Sequence, residues 1–345
     1  MRIEQAWLQT LPAQRWFAGK GRELAGVDVH PGPWFAGSGP RLAVRPETVV
    51  ARYADGSREA YQAVSAYRPQ AADAAAPGPV VELDDRPPAL LVDATLDPEA
   101  FGLVLDALEL GPEVARGEIT PFPAEQSNSS VRIGTGALFK LFRRPDGPNR
   151  EAELLAALRD SGVTPRLYAT ATTPDGTTWA IVMEFVDSTG DGWKLATRAC
   201  AAGQDFRGPA ADLGHALRNV HTLLQDAFGT TVRPGAEIAD GMLARLDQVA
   251  AEAPEVAALA DRIRPLYEAL RDEQLDCQQL HGDFHLGQVL QRRDPSGWVL
   301  IDFDGEPLKT PAELREPDSV WRDVAGALRS FDYARSVHPD PAGAA

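Results

Sequence analysis

The sequence predicts an α+β protein with two lobes and a β-rich N-terminal cap domain, and three observations lead there. Residues 1–95 alternate short apolar runs with Gly, Pro and Asp-Gly turn signals, the pattern of a small antiparallel sheet. Residues 117–142 and 166–187 repeat that β-like pattern around one helical segment. From about residue 193 apolar residues recur at helical spacing, interrupted by short β-like runs near 280–303. The domains so predicted are 1–95 (cap), 96–186 (a β-rich lobe) and 187–345 (a mainly helical lobe).

In the cap, Asp55-Gly56 between two apolar runs marks a hairpin. Residues 94–109 read as one helix. Residues 149–162 read as a second, with Asn149 as its cap, acidic residues in its first turn and Gly162 past its end. Helical periodicity then runs through 193–203, 209–228, a long stretch at 242–275, and 319–337; 288–291 and 298–303 are the β-like exceptions.

Charge and composition exclude several classes. The 345 residues carry 34 Lys+Arg against 50 Asp+Glu, a net charge of −16. That argues against a nucleic-acid partner and against an anionic membrane surface, since both recruit clustered cations. No apolar run approaches the ~20 residues of a membrane span. Two cysteines, Cys200 and Cys277, do not make a disulfide framework, so the expected location is the reducing cytoplasm. The expected assembly is a monomer or homodimer. Only four of the 34 basic residues are lysines (Lys20, Lys140, Lys194 and Lys309), so a lysine inside an apolar strand calls for a reason.

The chemistry concentrates in QLHGDFHLGQVLQRRDPSGWVLIDFDGEP (279–307). Phosphoryl transfer from ATP needs a carboxylate to take or orient the nucleophile's proton and oxygen ligands for Mg²⁺. Asp283 suits the base; Gln288 and Asp302 suit the metal. The spacing resembles the catalytic loop and metal-Asp strand of the protein-kinase-like fold. Two other readings compete: an ordinary turn and edge strand, or a transition-metal pair His281/His285 at i, i+4. The pair needs a continuous helix, and Gly282 argues against one.

That resemblance calls for a phosphate-covering loop, a strand lysine and a helix glutamate upstream. Gln126, Ser127, Asn128 and Ser129 are the loop candidates, although alone they read as a polar turn. Lys140 lies in the apolar run ALFKLF; a strand lysine snorkelling to water is the alternative. Glu153 is the expected partner of Lys140, with Glu151 assigned to the helix N-terminus. Adenine would meet the backbone of the connector Met183, Glu184, Phe185 and Val186.

Together these segments resemble the actinobacterial maltokinases and the shorter glucosamine kinases, within the aminoglycoside-phosphotransferase-like kinases. The resemblance rests on RWFAGKGR (15–22), QSNSSV (126–131), Asp191-Gly192-Trp193, HGDFHLGQ (281–288), IDFDGEP (301–307) and RDVAGALRSFDY (322–333). It spans nearly the whole chain. It implies transfer of the γ-phosphoryl group of MgATP to a sugar, most directly the 6-hydroxyl of glucosamine, with maltose 1-phosphate formation as the alternative. A nucleotide-binding pseudokinase acting as an interaction module is the non-enzymatic alternative; the intact set Lys140, Glu153, Asp283, Gln288 and Asp302 argues against it. The shorter length and Asp304 in IDFDGEP, where maltokinases carry Glu, point toward the glucosamine-kinase subgroup. A cationic amino sugar wants carboxylates around its ammonium. Asp304, Glu306 and Asp323 are assigned to it, with Trp321 to stack on the sugar, Arg322 to orient hydroxyls or neutralise a neighbouring carboxylate, and His285 as a further substrate-binding candidate.

Overall fold

The structure is a computed structural model describing residues 1–69, 78–122, 128–294, 297–306 and 309–337. It divides into two compact units, Met1–Asp187 and Ser188–Ala345.

The first unit opens with α1 (Ile3–Thr10) and an antiparallel sheet of β1 (Leu24–Pro31), β2 (Ala43–Tyr53), β3 (Arg58–Pro69), β4 (Val80–Val81) and β5 (Ala89–Asp93), ordered β1-β2-β3-β5-β4. Gly56, at φ 82°, makes the β2–β3 turn, as the Asp-Gly signal implied. On one face Trp7, Trp16, Phe17 and Tyr61 form an aromatic core. The RWFAGKGR segment therefore serves packing. Trp16 and Phe17 are buried, a Cβ on Gly19 would run into the Tyr53 hydroxyl, and Arg22 lies 3.5 Å over the Tyr53 ring.

The other face of that sheet, through Val44, Val64 and Ala66, shares a core with α2 (Pro98–Ala107) and with a second sheet. The helix expected over 94–109 is broken. Asp97 caps α2 by accepting from the Glu99 and Ala100 N–H groups, and Pro98 occupies its first position, where no N–H is needed. Residues 94–96 form a separate 3₁₀ turn.

The second sheet is antiparallel, ordered β6-β7-β8-β10-β9, with β6 (Ile119–Phe122), β7 (Asn128–Ile133), β8 (Ala137–Phe142), β9 (Leu167–Thr172) and β10 (Thr178–Glu184). Strand alternation separates its faces. Val131, Ile133, Phe139, Leu141, Ala180 and Val182 pack toward α2, where Phe101 meets Phe139 edge-on at 5.0 Å. The opposite face carries Ser130, Arg132, Leu138, Lys140, Ile181 and Met183, by the pairings Ser130↔Lys140, Arg132↔Leu138, Ile181↔Lys140 and Met183↔Leu138. Between β8 and β9 lies α3 (Arg150–Ala157), capped by Asn149 as expected but ending five residues before Gly162.

In chain order the second unit holds β11 (Ser188–Asp191), α4 (Gly192–Ala201), α5 (Arg207–Phe228), β12 (Thr231–Pro234), α6 (Gly235–Glu252), α7 (Pro254–Ala257), α8 (Ala260–Glu268), β13 (Gln274–Gln278), β14 (Val289–Arg292), β15 (Trp298–Leu300), α9 (Pro311–Arg315), β16 (Asp318–Ser319) and α10 (Trp321–Ser336). The long helical stretch at 242–275 is three helices, because Pro254 has no N–H to continue α6. Two small antiparallel sheets, β11-β14-β15 and β12-β13-β16, brace the connections. No helix among the described residues is long and apolar enough to cross a membrane.

Candidate active site

In the first unit Lys140 occupies the centre of β8 and is 6% exposed. It does not snorkel: its Nζ donates to Glu151 Oε2 at 2.7 Å. The partner expected was Glu153, and the structure corrects this. Glu151 is 1% exposed, whereas Glu153 faces solvent. Residues two positions apart on a helix point about 200° away from each other, so Glu151 and Glu153 cannot both face Lys140. The buried face of α3 reads Glu151, Leu154, Leu155, then Leu158 just past its end, at i, i+3, i+4, i+7. That stripe was the available signal.

Of the loop candidates, Gln126 and Ser127 lie outside the described residues. Asn128 and Ser129 begin strand β7, and Ser129 Oγ accepts from Arg143 Nε at 2.8 Å. Arg143 is fully buried; its Nη2 also meets Asp93, and its Cζ lies 4.5 Å over the Trp16 ring. Met183 and Glu184 end β10, and Phe185 and Val186 follow it. The N–H groups of Glu184 and Phe185 donate to the Arg166 and Gly136 carbonyls at 2.8 and 3.0 Å.

In the second unit the loop after β13 turns at Gly282, φ 89°, a conformation that suits glycine. His281 is fully buried, with Nε2 2.9 Å from the Ile301 carbonyl, and its Nδ1 accepts from the Asp283 N–H at 3.4 Å. Those bonds tie the loop to the strand that ends before Asp302. His285 Nδ1 accepts from the Gly287 N–H at 2.9 Å, capping a 3₁₀ turn. The metal-pair reading needs a continuous helix, and the left-handed turn at Gly282 and the extended backbone of His285 (φ −157°) show that none joins the two histidines.

Asp283 is half-buried. Gln288 Nε2 donates to Asp302 Oδ2 at 2.9 Å, which brings the two expected metal ligands together. The amide nitrogen cannot ligate a cation, so in a metal role the carbonyl oxygen of Gln288 would be the ligating atom. Asp302 has φ 65°, one of two non-glycine residues in the left-handed region among the described residues. Such geometry costs about 1–3 kcal/mol and gathers at functional sites. It also ends β15 at Leu300, short of the 303 expected.

α10 holds this loop along one face. Asp323 Oδ2 accepts from the His281 N–H at 3.0 Å, and Oδ1 from the Gly282 N–H at 2.9 Å. A Cβ on Gly326 would strike the Phe284 carbonyl, and Ser330 Oγ accepts from the Leu286 N–H at 3.0 Å. Asp323 also lies 2.9 Å from His221 Nε2 on α5. Burial works to raise the Asp323 carboxyl, but His221, the neighbouring His281 and the Gly282 N–H outweigh it, and the group titrates below the usual carboxylate range. Asp323 is therefore not a sugar ligand: it is 1% exposed and its oxygens are committed. Sequence reasoning missed His221, Gly326 and Ser330. The 323, 326, 330 spacing on one helix face was the signal for the last two.

Asp304 is half-buried. Arg322 bonds Glu306 and reaches Asp318 at 3.3 Å, not its neighbour Asp323. Trp321 beside it is 69% exposed. The structure thus pairs Glu306 with Arg322, leaves Trp321 exposed at the start of α10, and removes Asp323 from that group.

A five-stranded sheet with a buried lysine–glutamate pair, and a unit with a glycine-turned aspartate loop beside a second aspartate, define the class of kinase-like phosphotransferases. The Phosphotransferase enzyme family matches residues 118–313, and the Maltokinase N-terminal cap domain matches residues 10–97. The first match covers more than half of the chain, which belongs to the Phosphotransferase enzyme family. A glucosamine kinase of Streptacidiphilus jiangxiensis is 32% identical over 245 residues, 62% of this chain and 54% of that protein. The chain thus spans about half the length of this curated relative. Two solved structures share the fold. A glucosamine kinase in complex with glucosamine, ADP and inorganic phosphate has a TM-score of 0.68 at 22% identity, covering 98% of this chain and 83% of that one. A second crystal form of glucosamine kinase has a TM-score of 0.69 at 22% identity, covering 100% and 83%.

Proposed function

We propose that this chain is an ATP-dependent sugar kinase that phosphorylates the 6-hydroxyl of glucosamine. The observation that carries phosphoryl transfer is the Gln288–Asp302 contact, two oxygen-bearing ligands joined at the end of the Asp283 loop. Their donor set, a carboxylate and an amide carbonyl, suits a hard cation such as Mg²⁺. Bound there, Mg²⁺ supplies positive charge against the phosphate oxygens. Lys140, fixed by Glu151, is assigned to the ATP phosphates. Asp283 takes the proton of the sugar hydroxyl as its oxygen bonds to the γ-phosphorus; the bond between the γ-phosphorus and the bridging oxygen breaks, and ADP leaves. For an amino sugar, Asp304 is the carboxylate assigned to the ammonium, and Glu306, Arg322 and Trp321 to the ring.

The 32% identity to a glucosamine kinase favours glucosamine. The match to the maltokinase cap favours maltose as the second reading. ADP release measured over glucosamine, maltose, glucose, N-acetylglucosamine and aminoglycosides separates them, and glucosamine should give the highest kcat/KM. Asp283→Asn should lower kcat by roughly 10²–10⁴-fold with the melting temperature and ADP binding retained. Near-normal turnover in that variant would remove Asp283 from the base role, and absence of turnover with any acceptor would leave the pseudokinase reading.

A further inference from the structure

One strand face of the second sheet holds more polar chemistry than the proposed reaction uses. On β7, Ser130 and Arg132 lie on the same face as Lys140 of β8, paired with Lys140 and Leu138. Ser130 is 3% exposed, yet its Oγ finds no hydrogen-bond partner among the described residues. Two positions along, Arg132 Nε is also buried without a partner there. Buried polar groups are nearly always satisfied, so two in a row on one face call for a ligand.

The position of Arg132 says which part of a ligand. Its Cζ lies 5.5 Å from the centre of the Phe185 ring, in the connector expected to meet the base. Phe185 in turn meets Phe122 of β6 at 6.2 Å, and Arg132 Nη2 reaches Thr120 Oγ1 at 3.4 Å. Arg132 therefore stands between the phosphate-binding lysine and the connector, where the base and ribose of a nucleotide must lie. Its guanidinium already lies within cation–π range of one aromatic ring, and a purine presents another π-face with more acceptor atoms.

We propose that Arg132 is the base-recognising residue of this chain, stacking its guanidinium on the purine of the bound nucleotide, with Ser130 donating to the same ligand. This rests on the kinase reading above. Stacking on a π-face is tolerant of base identity, so GDP should profit nearly as much as ADP.

Calorimetric titration tests it without any acceptor. Arg132→Met keeps the apolar stem and removes the plane and charge. It should weaken ADP, GDP and adenosine by the same factor, roughly threefold to thirtyfold. Arg132→Lys restores charge but not the plane and should not rescue adenosine. In turnover, KM for ATP should rise while KM for the sugar stays. Unchanged adenosine binding, a loss confined to ADP and GDP, or full rescue by lysine would overturn the proposal, since each points to a phosphate contact or none. A wild-type chain that binds neither ADP nor adenosine would instead sink the kinase reading.

Discussion

Lys140 in the first unit and the Asp283 loop in the second are held by opposite means. In the first unit one buried charge holds another: Lys140, in the middle of an apolar strand, depends on Glu151 at the start of α3. In the second unit no ion pair holds the Asp283 side chain among the described residues. Its loop is fixed through the backbone instead, at His281, Gly282 and Leu286, by Asp323 and Ser330 of α10. The difference matches the tasks proposed for the two residues. A phosphate-binding lysine must stay charged while buried, which requires an anion beside it. A catalytic carboxylate must remain open to substrate, so its position has to come from the chain that carries it.

The sharpest way to break this comparison is at the charged end. Glu151→Gln removes the buried carboxylate 2.7 Å from Lys140 Nζ and should destabilise the protein by about 3–5 kcal/mol, read as a fall in the urea midpoint. Glu153→Gln, on the solvent face, should stay within about 0.5 kcal/mol. Equal effects from the two would undo the pairing.

Asp323→Asn ranks next, at about 2–3 kcal/mol, since the charged hydrogen bonds to two backbone donors and His221 are weakened. Its pH dependence has a definite sign. The folded-state pKa of Asp323 is depressed, so its contribution is fully present above the unfolded value near 3.9 and is lost as pH falls through the lower folded value. The stability gap between wild type and variant should therefore be constant from pH 7 to about 5 and close below about 4. A gap that widens on acidification would contradict the assignment. Smallest is Ser330→Ala, at about 1 kcal/mol, because one neutral acceptor for the Leu286 N–H is removed. If kcat falls with KM for ATP unchanged, the backbone brace acts on the Asp283 loop alone.

Much of this was legible in the linear chain. Asp283, Gln288 and Asp302 lie within twenty residues, and short-range spacing survives folding because the intervening turn and strands are local. Lys140 stood out because an apolar strand cannot bury a lone ammonium. The Glu151/Glu153 choice went wrong because charge was weighed at the helix N-terminus and the burial stripe was not. Asp323 misled for a different reason. A carboxylate near a sugar-binding motif looks like a ligand until its three-dimensional partners appear, and those partners are backbone N–H groups that no side-chain pattern encodes.

What the sequence alone determined is the order of elements, the cap, and the types of residue proposed for the phosphate and metal chemistry. Periodicity, turn residues and the cost of burying unpaired charge act locally, so they can be read without coordinates. The tertiary structure decided which carboxylate holds Lys140, that α10 is the brace of the Asp283 loop, and that Arg132 and Ser130 share the lysine's face. Each of these depends on which face of an element is buried against which other element, and only the packed chain settles that.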